Sequence, residues 1–367
     1  MTISAQGLAD AIREFRHINL ALTESYLETM ATSLRNAQTA QKSFYETGWN
    51  AKVAEINTRI EDRQSFGEIV RSMIQPVASN TLFMSESQHI EFNYDLGDFQ
   101  NTPGKTLCAY DGGYRLVDEN YIDLRLIDCL KQHLTSDVDS VVEFGAGWGK
   151  NLSLLLMSSG RADVSYLACE QSESGRQSFE RLFGLLDGLS FSSHPFDFYT
   201  PDFSMLKDRK HILAFTSAAI EQIAFLPRSF LDDLLDVTDK LTLIFFEPVG
   251  WQRSIERINF VIKTFVDEFG GQVPIDQWHG KNYMFKFHDD HFLDNAASWS
   301  IYGKYNINLL NMIDVAMEER RVNQIDRQYD IYSDNPLNPY SLIVLQKHEG
   351  DHKPGIRFSV TDPGLAE

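Results

Sequence analysis

The chain has 367 residues, 43% of them hydrophobic and 12% aromatic, which is apolar material for one large core plus appendages. Its 52 acidic side chains against 33 basic ones leave a net charge of -19, a field that repels nucleic acid and anionic membranes. No run of Lys and Arg interleaved with aromatics offers a local exception, so neither nucleic acid nor membrane is expected as a partner.

Cys108, Cys129 and Cys169 lack C-x-x-C spacing and are too few for a disulfide framework, which predicts a reducing, cytoplasmic setting. Met1–Arg16 shows no basic start followed by an apolar core, and no apolar run approaches about eighteen residues; no leader and no spanning helix are expected.

In chain order, residues 1–75 read as an N-terminal helical region. Gly and Pro are scarce, and Leu8, Ile12, Phe15, Leu22, Tyr26, Met30 and Leu34 recur at helical spacing. The expected role is a helical layer on the main domain or on a second copy, and a homodimer through these helices is anticipated. Glu24, Glu28, Glu46 and Glu55 on the polar faces argue against a lipid-surface helix.

Residues 76–121 change to Asn, Asp, Gly and aromatics, with turn signals at Asp95–Asp98, Thr102–Gly104 and Asp111–Gly113. They are read as a connector with substrate-side loops. From 122 to 348 short apolar runs alternate with amphipathic segments, the pattern of a parallel sheet covered by helices. Strands are expected near 140–144, 164–169, 189–193, 211–215 and 241–246. Helices are expected over 119–133, 150–159, 172–184, 227–237 and 254–269. Two β-rich runs, 327–332 and 340–345, flank a Pro- and Asn-rich turn and predict a terminal hairpin. Residues 270–327 are set apart as an inserted lid, and 349–367 as a polar tail.

Gly145-x-Gly147-x-Gly149 follows an apolar strand and precedes a helix, so its backbone can approach a ligand where a side chain would block it. A dinucleotide fingerprint would place its third glycine at Lys150, and that reading fails on spacing. The stretch Val141–Gly149 instead resembles the first motif of class I, Rossmann-like S-adenosylmethionine-dependent methyltransferases. The resemblance implies an α/β fold with a doubly wound, mostly parallel seven-stranded sheet and an antiparallel C-terminal hairpin. It implies S-adenosyl-L-methionine as cofactor.

Carried over residue by residue, it implies that Glu143 organises the glycine loop of Gly145, Ala146, Gly147 and Gly149 and the donor's amino end. It implies that Glu170, with Gln171 beside it, accepts the ribose hydroxyls, and that Asp197 contacts the adenine while Phe198 or Phe196 packs on the ring. Read from residues alone, Glu170 could be a helix N-terminal charge and Asp197 a turn Asp.

Ligands of open α/β sheets bind beyond the carboxyl ends of the strands, which singles out Thr216–Gln222 and Glu247–Gln252. Methyl transfer to a hydroxyl needs alignment and a group that takes the proton. Glu221 is the first candidate base, with a helix N-terminal charge as its alternative. Glu247 is another, and it could equally hold the substrate, bond a neighbouring backbone amide or face solvent; His279 in the lid is a third, by its pKa class. Trp251 walls the pocket or sits in the core. Tyr283 and Tyr302 in the lid, and Tyr110 and Tyr114 in the connector, are the remaining acceptor-side candidates. His288–His291, four consecutive residues in the insertion, make a poor metal site, and no metal is expected. The resulting expectation is an O-methyltransferase for a small or medium polar acceptor such as a sugar or secondary metabolite. An N-methyltransferase of an amine or peptide, or a non-catalytic cofactor-binding partner protein, are the alternatives.

Overall fold

A computed structural model describes residues 45–74, 104–223, 225–254, 256–257, 292–303 and 305–349, with backbone alone at 295, 298 and 301–303. It opens in a helix over 45–61 (α1), followed by α2 (Phe66–Met73). The sheet strands are β1 (Lys105–Tyr110), β2 (Gly113–Asp118), β3 (Ser140–Phe144), β4 (Ser165–Glu170), β5 (Phe191–Pro195), β6 (His211–Ser217), β7 (Lys240–Glu247), β8 (Val322–Ser333) and β9 (Tyr340–Lys347). The helices between them are α3 (Arg125–His133), α4 (Lys150–Ser159), α5 (Glu173–Phe183), α6 (Ser229–Val237), α7 (Phe292–Gly303) and α8 (Leu309–Glu318). Among the described residues no helix is long and apolar enough to cross a membrane.

All nine strands form one sheet in the order β2-β1-β8-β9-β7-β6-β3-β4-β5. β5, β4, β3, β6 and β7 run parallel, and β9, β8, β1 and β2 add on antiparallel. The doubly wound sheet and its terminal hairpin are as the sequence predicts; nine strands replace the expected seven. The two extra strands come from the segment read as connector loops. Asp111 and Gly112, at φ 49 and 78, make a two-residue turn of the primed kind that pairs Tyr110 with Gly113, and β1 then docks on β8.

Adjacent residues of β3 point into two cores: Val141 belongs to one, and Val142 and Phe144 to the other. A strand buried on both faces reads as a nearly continuous apolar run, which is why Val141–Phe144 stands out in the sequence, with Glu143 interrupting it. On the first face lie Ile56, Ile69, Leu130, Leu152 and Phe179 from α1 through α5. On the second lie Phe230 and Leu234 from α6, and Leu309 and Ile313 from α8. Part of the segment expected as a lid is therefore core, because α8 buries Leu309, Leu310, Met312, Ile313 and Ala316 against β7 and β9. Helix α3 starts at Arg125, not near residue 119.

Strand order reverses between β3 and β6, whose register pairs Phe144 with Thr216; on the other side Phe144 pairs with Cys169. Ser217 pairs with Phe246 in turn, so β3, β4, β6 and β7 all end on one rim. A crevice opens at such a switch point, and residues following those four strands meet there.

Candidate active site

The loop between β3 and α4 is built on glycines that no other residue replaces without strain. Gly145, Gly147 and Gly149 have φ of 79, 53 and 83, a region that costs an L side chain about 1–2 kcal/mol. The space is closed too: a Cβ on Gly145 would lie 2.3 Å from that of Ala219, and one on Gly149 2.5 Å from the Phe179 ring. Gly145 and Ala146 both donate to the Cys169 carbonyl, which ties the loop to the end of β4.

Glu143 is 1% exposed. One oxygen accepts Asn151 Nδ2 at 2.7 Å, and the other has no partner among the described residues. Burial is the main cause that pushes its carboxyl up to about 8, with Asn151, Lys150 and the Leu152 N–H pulling the other way. A buried, unsatisfied carboxylate oxygen beside a glycine loop is a place for a cation or a strong donor.

Glu170 closes β4. Its Oε2 accepts the Gly147 N–H at 2.9 Å, and its Oε1 accepts both the Ser172 N–H and hydroxyl. A carboxylate offers about four acceptor positions, so capacity for one more donor remains. Gln171 is exposed. Asp197 is half-buried and uses one oxygen to accept the Tyr199 N–H in a turn. Phe198, 7% exposed, reaches within 3.7 Å of the position a Gly145 Cβ would occupy.

Beyond β6, Ala218 takes a left-handed φ of 52 and the chain turns through Ile220–Gln222. Glu247, fully buried at the end of β7, holds that turn: it accepts the N–H groups of Ala219, Ile220 and Glu221, each at 3.1 Å. Glu247, expected as a candidate base or a backbone partner, makes the backbone contacts, and three N–H donors take three of the roughly four acceptor positions of its carboxylate. The Asn306 N–H donates to the Glu221 carbonyl at 2.9 Å, and Gln252 Nε2 to the Asn306 carbonyl, fastening the turn to the chain ahead of α8.

Glu221 itself is 7% exposed. Gln222 Nε2 donates to one of its oxygens and Asn338 Nδ2 to the other, both at 2.8 Å. Among the described residues no Lys or Arg pairs with it. Burial first, and the neighbouring Glu247 charge second, raise its carboxyl to about 8; burial raises that of Glu247 to about 7.

Three tyrosines share this corner. Tyr340 follows Asn338 on β9, Tyr305 precedes Asn306, and Tyr45 comes from α1; burial and then the Glu221 charge lift all three phenols well above their ordinary value. Tyr45 stacks on Trp49 at 6.5 Å between centroids, and the Trp49 ring lies 2.7 Å from where a Gly147 Cβ would stand. Glu46 accepts the N–H groups of Glu173 and Ser174 at the start of α5, so α1 is pinned across the glycine loop. Sequence reading assigned this helix only a packing role, and Asn338 only a turn.

Other candidates lie elsewhere. Trp251 is 1% exposed, as an interior ring is. Tyr110 packs against Tyr332 under the Arg125 guanidinium, 4.3 Å from its ring centroid, and Tyr114 against Phe292 at 5.0 Å. His279, Tyr283 and His288–His291 fall outside the described residues, as does the Tyr302 side chain. The described residues contain no group of three His, Cys, Asp or Glu suited to a metal ion.

No protein-family model matches the chain, and neither does any curated protein. Solved structures do share likeness with it. An O-methyltransferase from Bacillus cereus in complex with SAH has 10% identity and a TM-score of 0.35, with 62% of this chain covering 83% of that one. A geranyl diphosphate methyltransferase in complex with GPP and sinefungin has 9% identity and a TM-score of 0.37, with 63% covering 80%. The O-methyltransferase TomG from Streptomyces achromogenes, involved in tomaymycin synthesis and in complex with SAM, has 11% identity and a TM-score of 0.35, with 63% covering 82%. At that distance the likeness carries no argument about residues or chemistry, which rest on the strand order and the rim geometry above.

Proposed function

We propose that the chain is an S-adenosylmethionine-dependent methyltransferase acting at the β3–β6 switch point. The observation that carries the reading is Glu143, buried at the glycine loop with one carboxylate oxygen unpartnered among the described residues. That oxygen suits the ammonium of the donor's methionine end, Glu170 has capacity for a ribose hydroxyl, and Asp197 with Phe198 is the pair that would receive the adenine. When bound, the donor supplies a methyl carbon on a positively charged sulfur, open to in-line displacement.

The chain's own part is positioning and proton handling. Glu247 fixes the turn after β6, and the turn presents Glu221. A carboxyl lifted to about 8 is a better base near neutrality than an ordinary one, which supports Glu221 as the group that takes the acceptor's proton. Amide and phenol side chains, with no described cation pairing, suit a neutral polar acceptor better than an anionic one. A hydroxyl of a sugar or secondary metabolite is the preferred acceptor.

Calorimetry with S-adenosylhomocysteine tests the donor assignment. Wild type should bind, and Gly147→Arg and Glu170→Ala should each weaken binding at least about tenfold, a loss of about 1.4 kcal/mol. Undiminished binding in both variants sinks the assignment.

A further inference from the structure

Among the described residues, the rim around Glu221 brings no cation to its buried carboxyl. Its carboxyl faces Glu247 from β7, Asp334 from the β8–β9 connection, and the phenols of Tyr45, Tyr305 and Tyr340. Every one of these is neutral or negative. Lys150, at the start of α4, acts on Glu143 and Asp334. The two groups bonded to the Glu221 oxygens, Asn338 and Gln222, are neutral amides. Yet Glu221 stands two residues past Ala219, whose Cβ is packed on Gly145, so it sits close behind the loop assigned above to the donor.

Resting on that assignment, we propose that Glu221 answers the donor's charge: protonated in the unliganded protein, it releases its proton when a sulfonium binds and recovers one as the neutral thioether product forms. The balance closes over a turnover. Donor binding sends the Glu221 proton to solvent. In transfer, the acceptor oxygen bonds to the methyl carbon as the carbon–sulfur bond breaks, the electron pair stays on sulfur, and the acceptor's proton ends on Glu221. The carboxyl is thereby a base only while the positive charge is present, and product departure leaves it as it began.

A positive charge close to a buried carboxyl lowers its pKa by about 1–3 units. From about 8, that takes Glu221 from mostly protonated to between half and almost fully ionised at pH 7. Binding of S-adenosylmethionine should therefore release about 0.4–0.9 proton more than binding of S-adenosylhomocysteine, which lacks only the methyl and the charge it puts on sulfur.

The experiment is calorimetry of the full chain at pH 7 in two buffers of different ionisation enthalpy, with each ligand. The expected result is that excess for wild type and its disappearance in Glu221→Gln, with S-adenosylhomocysteine affinity kept within about twofold. Equal proton counts for the two ligands in wild type, or an excess that survives Glu221→Gln, overturns the proposal while leaving the donor assignment standing. Failure of both ligands to bind overturns both. Should Glu221→Gln not fold, Asn338→Ala serves instead. Removing that donor raises the carboxyl further and should move the pH of maximal excess release upward, and an unmoved maximum counts against the proposal.

Discussion

Gly145→Ala is the sharpest probe of the loop, because two separate costs meet at one atom. At φ 79 the backbone is one that alanine adopts at about 1–2 kcal/mol. The new methyl would also fall 2.3 Å from Ala219 Cβ. Ala219 cannot rotate away, since its N–H is held by Glu247, so the backbone must shift, an overpacking cost of about 1–3 kcal/mol. Together these predict a loss of about 3 kcal/mol, or a melting temperature lower by roughly 6–12 °C for a body of this size. Gly160→Ala is the control. Its φ of 66 carries the same backbone cost, but nothing lies within 4 Å, so about 1–2 kcal/mol is expected. Urea titration of both variants measures the difference. Equal losses would falsify the close approach of the β3 and β6 loops on which the site depends.

Further outcomes follow from the same geometry. Glu143, Glu221 and Glu247 have folded pKa values of about 8, 8 and 7, above the ordinary 4.5, so the native state holds more protons than the unfolded chain across that interval. Stability of the unliganded protein should then fall as pH rises from 6 to 8, at up to about 1.4 kcal/mol per group per unit, and a melting temperature that is flat or rising over that range contradicts it. Glu143→Gln keeps an acceptor for Asn151 and removes the buried charge. It should stabilise the unliganded protein by about 1–2 kcal/mol at pH 8 while weakening S-adenosylhomocysteine at least about tenfold; the reasoning fails if affinity is unchanged. Glu46→Ala leaves two α5 N–H groups without their acceptor and should cost about 1 kcal/mol. Hydrogen exchange should show α1 opening sooner than β3, and unaltered α1 protection would show that Glu46 does not pin it.

The parts of the fold legible in the sequence are those where one local signal had no competitor. β3 and α4 fall on the expected residues because an apolar run meets glycines and then an unbroken helix former stretch. The β1–β2 hairpin is local, but its place in the sheet is set by tertiary pairing. The turn at Asp111–Gly113 was visible, but β1 meets β8 only at Ala109 and Tyr110, across more than two hundred residues of chain. The same reason divides the site. Glu143 and Glu170 stand at the ends of β3 and β4, where the resemblance of the glycine motif points, and Glu221 stands just past β6, where the rule that ligands collect at strand ends points.

Glu247 follows a strand too, yet its partners are three backbone N–H groups that leave no mark on composition, so the sequence could only hold its roles open. Asn338 reads as a turn residue because Asn beside Pro favours turns wherever it occurs; its amide reaches Glu221 only because β9 lies next to β7. Tyr45 and Trp49 sit one helical turn apart on a segment whose apolar spacing has a sufficient explanation in packing. What connects these three to the rim is sheet order and helix docking, long-range consequences of the cores on both faces. The glycine loop and its two carboxylates can therefore be read from strands and a motif. The groups around Glu221 are assembled from α1, β7 and the terminal hairpin, and only the folded chain brings them together.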